Sequence, residues 1–422
     1  MTGRGAAAAV AILLAATAAT AEPGLSVAAG APVETVFRWA TQRCGDMNLP
    51  DSPARALRTR DGGVALVASH YLVVPLLGPD FGQLAPACAA SSRGAEDADP
   101  AAFRDRVWVQ ALIPYEDGGR RRILGLASHE YMGWRHPGRC DAPFDGPGRR
   151  PAAFRCWYSA ITLLVAEEGD WRFRPVPRAP PVAASPLPYD PGATARTGFF
   201  SVSNAILADG HATVLAYTEG LPGQPRGNCL LRAPLDDLVG GWRALSGGTF
   251  SARLSGAYGA AAAPPAPCDV VGAGVFRGAP VRSVVRVAAA DGEWYVATIA
   301  RDGRDGVPGG IFVTASRDLR DWRPARLLWD VPPFRSQPEA GVYYQYPSLL
   351  DHASASDLFD RVEAGEHARL HLYLTRFNLE DRRRGLDRDL VRVPVTVRPR
   401  RPRGAKTRRP DRRRATLGSP IA

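Results

Sequence analysis

Four Asp-Gly dipeptides, Asp61-Gly62, Asp117-Gly118, Asp209-Gly210 and Asp291-Gly292, each stand between two apolar runs. Glycine accepts the positive φ that a tight hairpin needs, so this pairing is a strong local hairpin signal. The copies align as one pattern: an apolar strand, the turn, and a second apolar strand with a polar tip. Ala54 to Leu57 leads to Val64 to His70, and Trp108 to Ile113 leads to Ile123 to Glu130. Ser203 to Leu207 leads to Ala212 to Glu219, and Ser283 to Val287 leads to Trp294 to Arg301. A fifth copy runs from Tyr346 to Leu350, carries an insertion, and returns as "LHLYLTRF" to Phe377. In three copies a third strand follows and closes on a tryptophan, Trp171, Trp242 or Trp322.

Repeats of about 40 or more residues, each worth three or four strands, imply a β-propeller. Long helical periodicity is nearly absent, so the chain is expected to be all-β, a five-bladed propeller in one continuous domain over residues 33–397. Excess length must sit in loops, the largest being Pro137 to Pro151.

Both ends fall outside that domain. Residues 1–21 combine Arg4, a small apolar run and Ala19-Thr20-Ala21, which reads as a secretory signal peptide cut before Glu22. The six cysteines (Cys44, Cys88, Cys140, Cys156, Cys229 and Cys268) are an even count suited to an oxidising compartment, secreted or periplasmic. Sequence permits 15 pairings, of which the sequential one is expected: Cys44–Cys88, Cys140–Cys156 and Cys229–Cys268.

The net charge of +11 is concentrated at the C-terminus. Arg398 to Arg414 holds ten basic residues and one acid, so the rest of the chain carries only +2. Residues 398–422 are expected to form a disordered Pro/Arg-rich tail that can adhere to anionic surfaces by charge alone. No specific nucleic-acid partner is expected, and the oligomeric state is left open.

In a propeller the starts of inner strands and the ends of second strands share one face. That face would gather Asp51, Arg55, Trp108, Gln110, Ser203, Asn204, Tyr344, Gln345 and Tyr346 with His70, His129, Glu130, Tyr131, Glu219, Arg301, Arg376 and Asn378. Carboxylates, imidazoles, arginines and flat aromatic rings around a funnel suit a polyhydroxylated ligand. The two histidines lack a third ligand at recognisable spacing, so no metal or cofactor is expected, although a central structural cation stays open.

Three segments resemble the five-bladed propellers of glycoside hydrolase families 43 and 32. "SRDLRDW" at Ser316 to Trp322 is similar to an outer-strand segment of family 43. The stretch from Pro50 to Ser69 is similar to its first blade, and "YYQYPSLLD" with "LYLTRFN" to its last. The resemblance implies an inverting hydrolase with an Asp base in blade one, an Asp in blade two that tunes the acid, and a Glu acid in blade three. Inversion requires carboxyls roughly 6.5–9.5 Å apart. Asp51 matches the base, but blade three reads Ser203-Asn204 and blade two reads "WVQA", without acids.

The expectation is therefore a carbohydrate-active propeller, a glycoside hydrolase with Asp51 as base and Glu130 as acid, the latter's pKa raised by burial. Arg55, His70, His129, Asn204, Glu219, Tyr346 and Arg376 would bind the sugar. The alternatives are a non-catalytic glycan-binding propeller and a protein-interaction scaffold.

Overall fold

The computed structural model describes residues 24–27, 31–141, 155–254, 256, 258, 266–289, 291–303, 308–332, 341–363, 368–380 and 383–398. The segment 1–21, the basic tail beyond Arg398, and the Pro137–Pro151 insertion from residue 142 onward lie outside them.

Each Asp-Gly signal closes a hairpin between an inner strand and its neighbour. Blade one pairs Pro50–Arg58 with Val64–Ser69, followed by Leu76–Gly78 and Ala85–Pro86. Blade two runs Arg106–Asp117, Arg120–Met132, Trp157–Glu167 and Arg174–Pro175. Blade four runs Ser283–Ala289, Gly292–Arg301, Gly310–Ser316 and Arg326–Trp329. At the turn of blade three, Asp209 (φ 50°) and Gly210 (φ 71°) are both left-handed, as a two-residue turn matched to strand twist demands.

Blade three departs from the expected boundaries. Its inner strand begins earlier, at Thr197–Val202, breaks at residues 203–205, and resumes as Ile206–Ala208. The break follows from Ser203, whose Oγ accepts from the backbone N–H of Leu215 (3.0 Å) in place of a ladder bond. His211–Thr218, Gly227–Pro234 and Arg243–Ser246 complete the blade.

Blade five combines the two ends of the chain. Val342–Leu350, Ala368–Glu380 and Arg383–Arg398 form its inner three strands, and Glu34–Phe37 and Gly24–Val27 pair onto Arg383–Arg398. The first blade cannot be reached without passing through the last.

Five apolar clusters fill the five blade interfaces, which closes the ring. Leu57 and Val67 meet Val109 and Leu164 between blades one and two, and Leu126 and Ile161 meet Phe199 and Val214 between two and three. Leu215 and Leu230 meet Val284 and Ile299 between three and four, Val285 and Trp294 meet Leu349 and Val391 between four and five, and Tyr373 and Leu350 meet Ala56 and Leu66 between five and one. The closing tryptophans each pack on the preceding blade: Trp171 toward blade one, Trp242 toward two and Trp322 toward three.

A polar girdle joins the inner strands below the open face. Ser52 Oγ donates to Val109 O (3.4 Å), Gln110 Oε1 accepts from Val202 N (2.8 Å), and Asn204 takes both Val284 N (2.7 Å) and Val284 O (2.8 Å). Ser283 Oγ accepts from Leu349 N (3.1 Å), and Ser348 Oγ donates to Ala54 O (2.7 Å). Arg55 sits across the axis, donating to Gln110 O, Ser348 Oγ (3.1 Å) and Arg282 O (2.6 Å), and so ties blade one to two, five and four. Beneath it, the blade-five insertion closes the far end: Arg361–Glu363 pairs with the inner strand of blade four, and Arg58 N donates to Asp357 O (2.8 Å).

The three disulfides are the sequential ones, Cys44–Cys88, Cys140–Cys156 and Cys229–Cys268, with Cα separations of 5.4, 5.7 and 5.7 Å. Among the described residues no helix is long and apolar enough to cross a membrane.

Asn204→Ala strands the Val284 N–H and carbonyl at a buried interface. The expected loss is about 2–4 kcal/mol of unfolding free energy, from two unsatisfied backbone groups. Urea denaturation checks it, and a change below about 0.5 kcal/mol would show that the girdle does not hold blades three and four together.

Candidate functional site

Above the girdle the funnel opens into a cleft of about 650 Å³. It gathers Asp51, His70, Trp108, Gln110, Glu130, Glu219, Arg301, Gln345 and Tyr346 from the sequence-derived set. The strands that feed it are irregular near the rim, with register shifts at Pro50/Arg55, Leu126/Ala127, Phe199/Ser201 and Gln345/Ser348. Bulges re-aim side chains in this way beside functional sites. Tyr346 is the clearest case: its backbone is left-handed (φ 59°), an uncommon state for a bulky residue, and its hydroxyl meets Asp51.

Asp51 is the most heavily hydrogen-bonded carboxylate here. Tyr346 Oη (3.1 Å) and Arg388 donate to Oδ1, and Trp108 Nε1 donates to Oδ2 at 3.2 Å. His70 Nε2 lies 3.4 Å from Oδ2, with its ring edge-on to Trp108. An ionised carboxylate accepts only, so this shell suits the charged form.

Glu130 stands in the opposite circumstance. It is half-buried near the end of Arg120–Met132, and burial pushes its carboxyl up to about 7. Arg196 opposes that rise, and the Asp51 charge adds to it. One cleft thus holds two carboxyls in different surroundings, Asp51 ringed by donors and Glu130 raised by burial.

Glu219 is held by two cations, Arg196 Nη2 (3.0 Å) and Arg226 Nη2 (3.6 Å). Arg196 also lies flat on Phe200, 3.8 Å from its centroid.

Four residues expected to bind substrate do not line the cleft. Arg55 is only 3% exposed and belongs to the girdle, where burial, with Arg282 beside it, brings its guanidinium down to about 9. Asn204 is spent on Val284. His129 is fully buried and accepts from Asp105 N (3.1 Å), because strand alternation turns it away from the cleft that Glu130 faces. Burial also holds its imidazole down at about 3, in the neutral form that such an acceptor requires. Arg376 is tied to Asp389 at 2.5 Å.

Other members of the predicted face are also turned aside. Ser203 and Tyr131 are buried, with Tyr131 Oη donating to Ala98 O (2.8 Å). Asn378 bonds Asp387 and Asp389, and Tyr344 packs on Trp329.

The cleft adds residues that the repeat pattern did not single out: Trp157, Arg196, Phe200, Tyr217, Arg226 and Arg282. Arg282 immediately precedes the inner strand Ser283–Ala289, and that place beside a strand start was the available signal. Arg196 and Arg226 come from outside the two strands that the pattern aligned. Among the described residues no group of three His, Cys, Asp or Glu side chains could hold a metal ion.

A larger groove of about 880 Å³ runs between the hairpin turns of blades one and two, at the other end of the strands. Its lining charges other than Asp61 are engaged in ion pairs such as Arg60–Glu116 and Arg120–Glu167 (3.6 Å).

No protein-family model matches this chain, and no curated protein does. Among solved structures the fold is similar to five-bladed propeller glycoside hydrolases of the arabinanase and arabinofuranosidase type. The α-L-arabinanase of Cellvibrio cellulosa has a TM-score of 0.40 at 13% identity, covering 82% of this chain and 91% of that one. The catalytic domain of the Coprinopsis cinerea GH62 α-L-arabinofuranosidase has 0.43 at 11%, covering 90% and 97%. The endo-arabinase of Bacteroides thetaiotaomicron has 0.42 at 11%, covering 85% and 96%.

The raised Glu130 carboxyl has a stability signature. The folded state holds this proton more tightly than the unfolded chain, whose value is about 4.5. The benefit is complete below pH 4.5 and lost as pH rises through about 7. Glu130→Gln removes the dependence, so the variant should gain on the order of 2–3 kcal/mol relative to wild type between pH 4 and 8. Urea midpoints at both pH values check this, and a constant difference would sink the assignment.

Proposed function

We propose that this chain is a secreted or periplasmic carbohydrate-active propeller that hydrolyses glycosidic bonds by carboxylate acid/base chemistry. The observation that carries the reading is the pairing of Glu130, held at about 7, with the donor-ringed Asp51 in one aromatic-walled cleft. Glu130 supplies the proton to the departing sugar oxygen, since a carboxyl near 7 is still substantially protonated at neutral pH. Asp51 takes the proton of the attacking water and stabilises positive charge as the sugar approaches its oxocarbenium-like state. Trp108, Phe200 and Tyr346 offer flat faces to the sugar rings. The three disulfides and the leader-like residues 1–21 support export to an oxidising compartment.

One observation favours a second reading, a glycan-binding propeller without turnover. Asp51 has about as many donors as an ionised carboxylate has lone-pair sites, which leaves little room for a water to be activated.

The two readings separate on a panel of oligosaccharides and aryl glycosides, with wild type, Asp51→Asn and Glu130→Gln compared for both product release and binding. Hydrolysis predicts a loss of about 10²–10⁴-fold in kcat/KM for each variant with binding retained. Glu130→Gln should be spared on activated aryl leaving groups, which need no proton, and wild-type activity should fall as pH rises through about 7. Binding by all three proteins without turnover establishes the binder instead.

A further inference from the structure

The cleft is lined by five arginines and four carboxylates, and the carboxylates are the less available set. Asp51 is taken by Arg388 and its other donors, Glu219 is shared by Arg196 and Arg226, and Glu130, held at about 7, carries only part of a charge at neutral pH. Three arginines remain on the wall made by blade four and the turn leading into it: Arg277, Arg282 and Arg301. None of them forms an ion pair with a carboxylate among the described residues, Asp302 on the same wall included.

Their own contacts are to neutral groups. Arg282 donates to Ser201 Oγ (2.9 Å) and lies 5.0 Å from the Tyr346 ring centroid. Arg301 donates to Val275 O and stacks 4.5 Å from Phe312, while its buried Nε has no hydrogen-bond partner among the described residues. Arg277 is exposed at the mouth. These cations also repel one another. Burial acts first against the charge on both Arg282 and Arg301; Arg196 adds to it at Arg282, where Tyr346 and the more distant Asp51 act the other way, and Arg277 adds to it at Arg301. Holding like charges around a partly desolvated cavity is unfavourable unless an anion joins them. Guanidinium groups match planar and tetrahedral oxyanions with paired donors.

The geometry points to an acidic saccharide as the ligand of this cleft, its carboxylate or sulfate ester seated on Arg277, Arg282 and Arg301 while its rings lie on the aromatic walls. The inference rests on the proposed carbohydrate site and specifies the class of sugar, and it holds whether or not the bound glycan is cleaved. A cavity of about 650 Å³ takes a few sugar residues rather than a folded partner, so the charge is read within a saccharide.

The test is direct binding by calorimetry of the full mature chain at low and high salt, with turnover followed separately. The probes are oligogalacturonate and glucuronate-bearing xylan fragments beside their carboxyl-reduced counterparts, and sulfated galactan fragments beside their desulfated ones. At least one acidic probe should bind ten-fold or more tighter than its neutral counterpart, and the pair that discriminates identifies carboxylate or sulfate. Arg277→Gln and Arg301→Gln should each weaken that acidic probe by five-fold or more. Arg60→Gln, at the far end of the blades, should not. Neutral sugars that bind as tightly as every acidic partner would overturn the proposal, as would absence of binding by all probes. Tight acidic binding without cleavage would leave it standing while refuting hydrolysis. Exposed Arg277 provides a variant that does not endanger folding, and the paired-ligand comparison needs no variant at all.

Discussion

Each inner strand hands a polar side chain to the backbone of the next blade, and the rest of the molecule depends on that ring. A propeller has no single core. Its apolar clusters lie between blades, where they are non-directional and would tolerate sliding. Gln110, Asn204, Ser283, Ser348 and Ser52 supply what hydrophobic packing lacks, a defined register between neighbours. Arg55 then spans the axis and fixes three blades against the first. Because these groups are buried, each missing bond would leave a backbone donor or acceptor unpaired, so the register is enforced by penalty as much as by attraction.

The girdle also explains why the cleft can hold so much charge. Its residues form a rigid floor, and the irregular strand ends above it are free to depart from ladder geometry. The bulge that turns Tyr346 toward Asp51 and the position of Arg282 just before its strand both arise in this zone. A site with Glu130 near neutrality and three arginines that pair with no carboxylate among the described residues is unfavourable in isolation. It persists because packing elsewhere holds its frame.

Much of the architecture was legible in the sequence, and for physical reasons. The hairpins were readable because a positive φ selects Gly, and Asp-Gly recurs in register with apolar runs. The disulfides were readable because each pair spans a single blade or loop. The site was legible in part. Asp51, His70, Glu130, Glu219 and Tyr346 line the cleft as the shared face of strand starts and ends implied. Arg55, Asn204, His129 and Arg376 do not: Arg55 and Asn204 serve the neighbouring blades, and Arg376 is taken by Asp389 of its own blade. His129 shows the second difficulty: adjacent to Glu130, it faces the opposite side of the same strand. Arg196, Arg226 and Arg282 were hidden in a chain with arginine everywhere, and their roles are set by which loops the closed ring brings together.

The strand Glu34–Phe37 completes blade five on Arg383–Arg398, and blade one packs one of its flanks on blade five. The consequence is one of timing. During synthesis, the earliest apolar segments have no permanent partner until nearly the entire chain has been made, so closure is governed by contacts of very high sequence separation. Intermediates must carry open blade flanks for a long interval, when unpaired edges invite association with other chains. Until the last strand is available, the open flank of such a fold has to be shielded by something other than the fold itself.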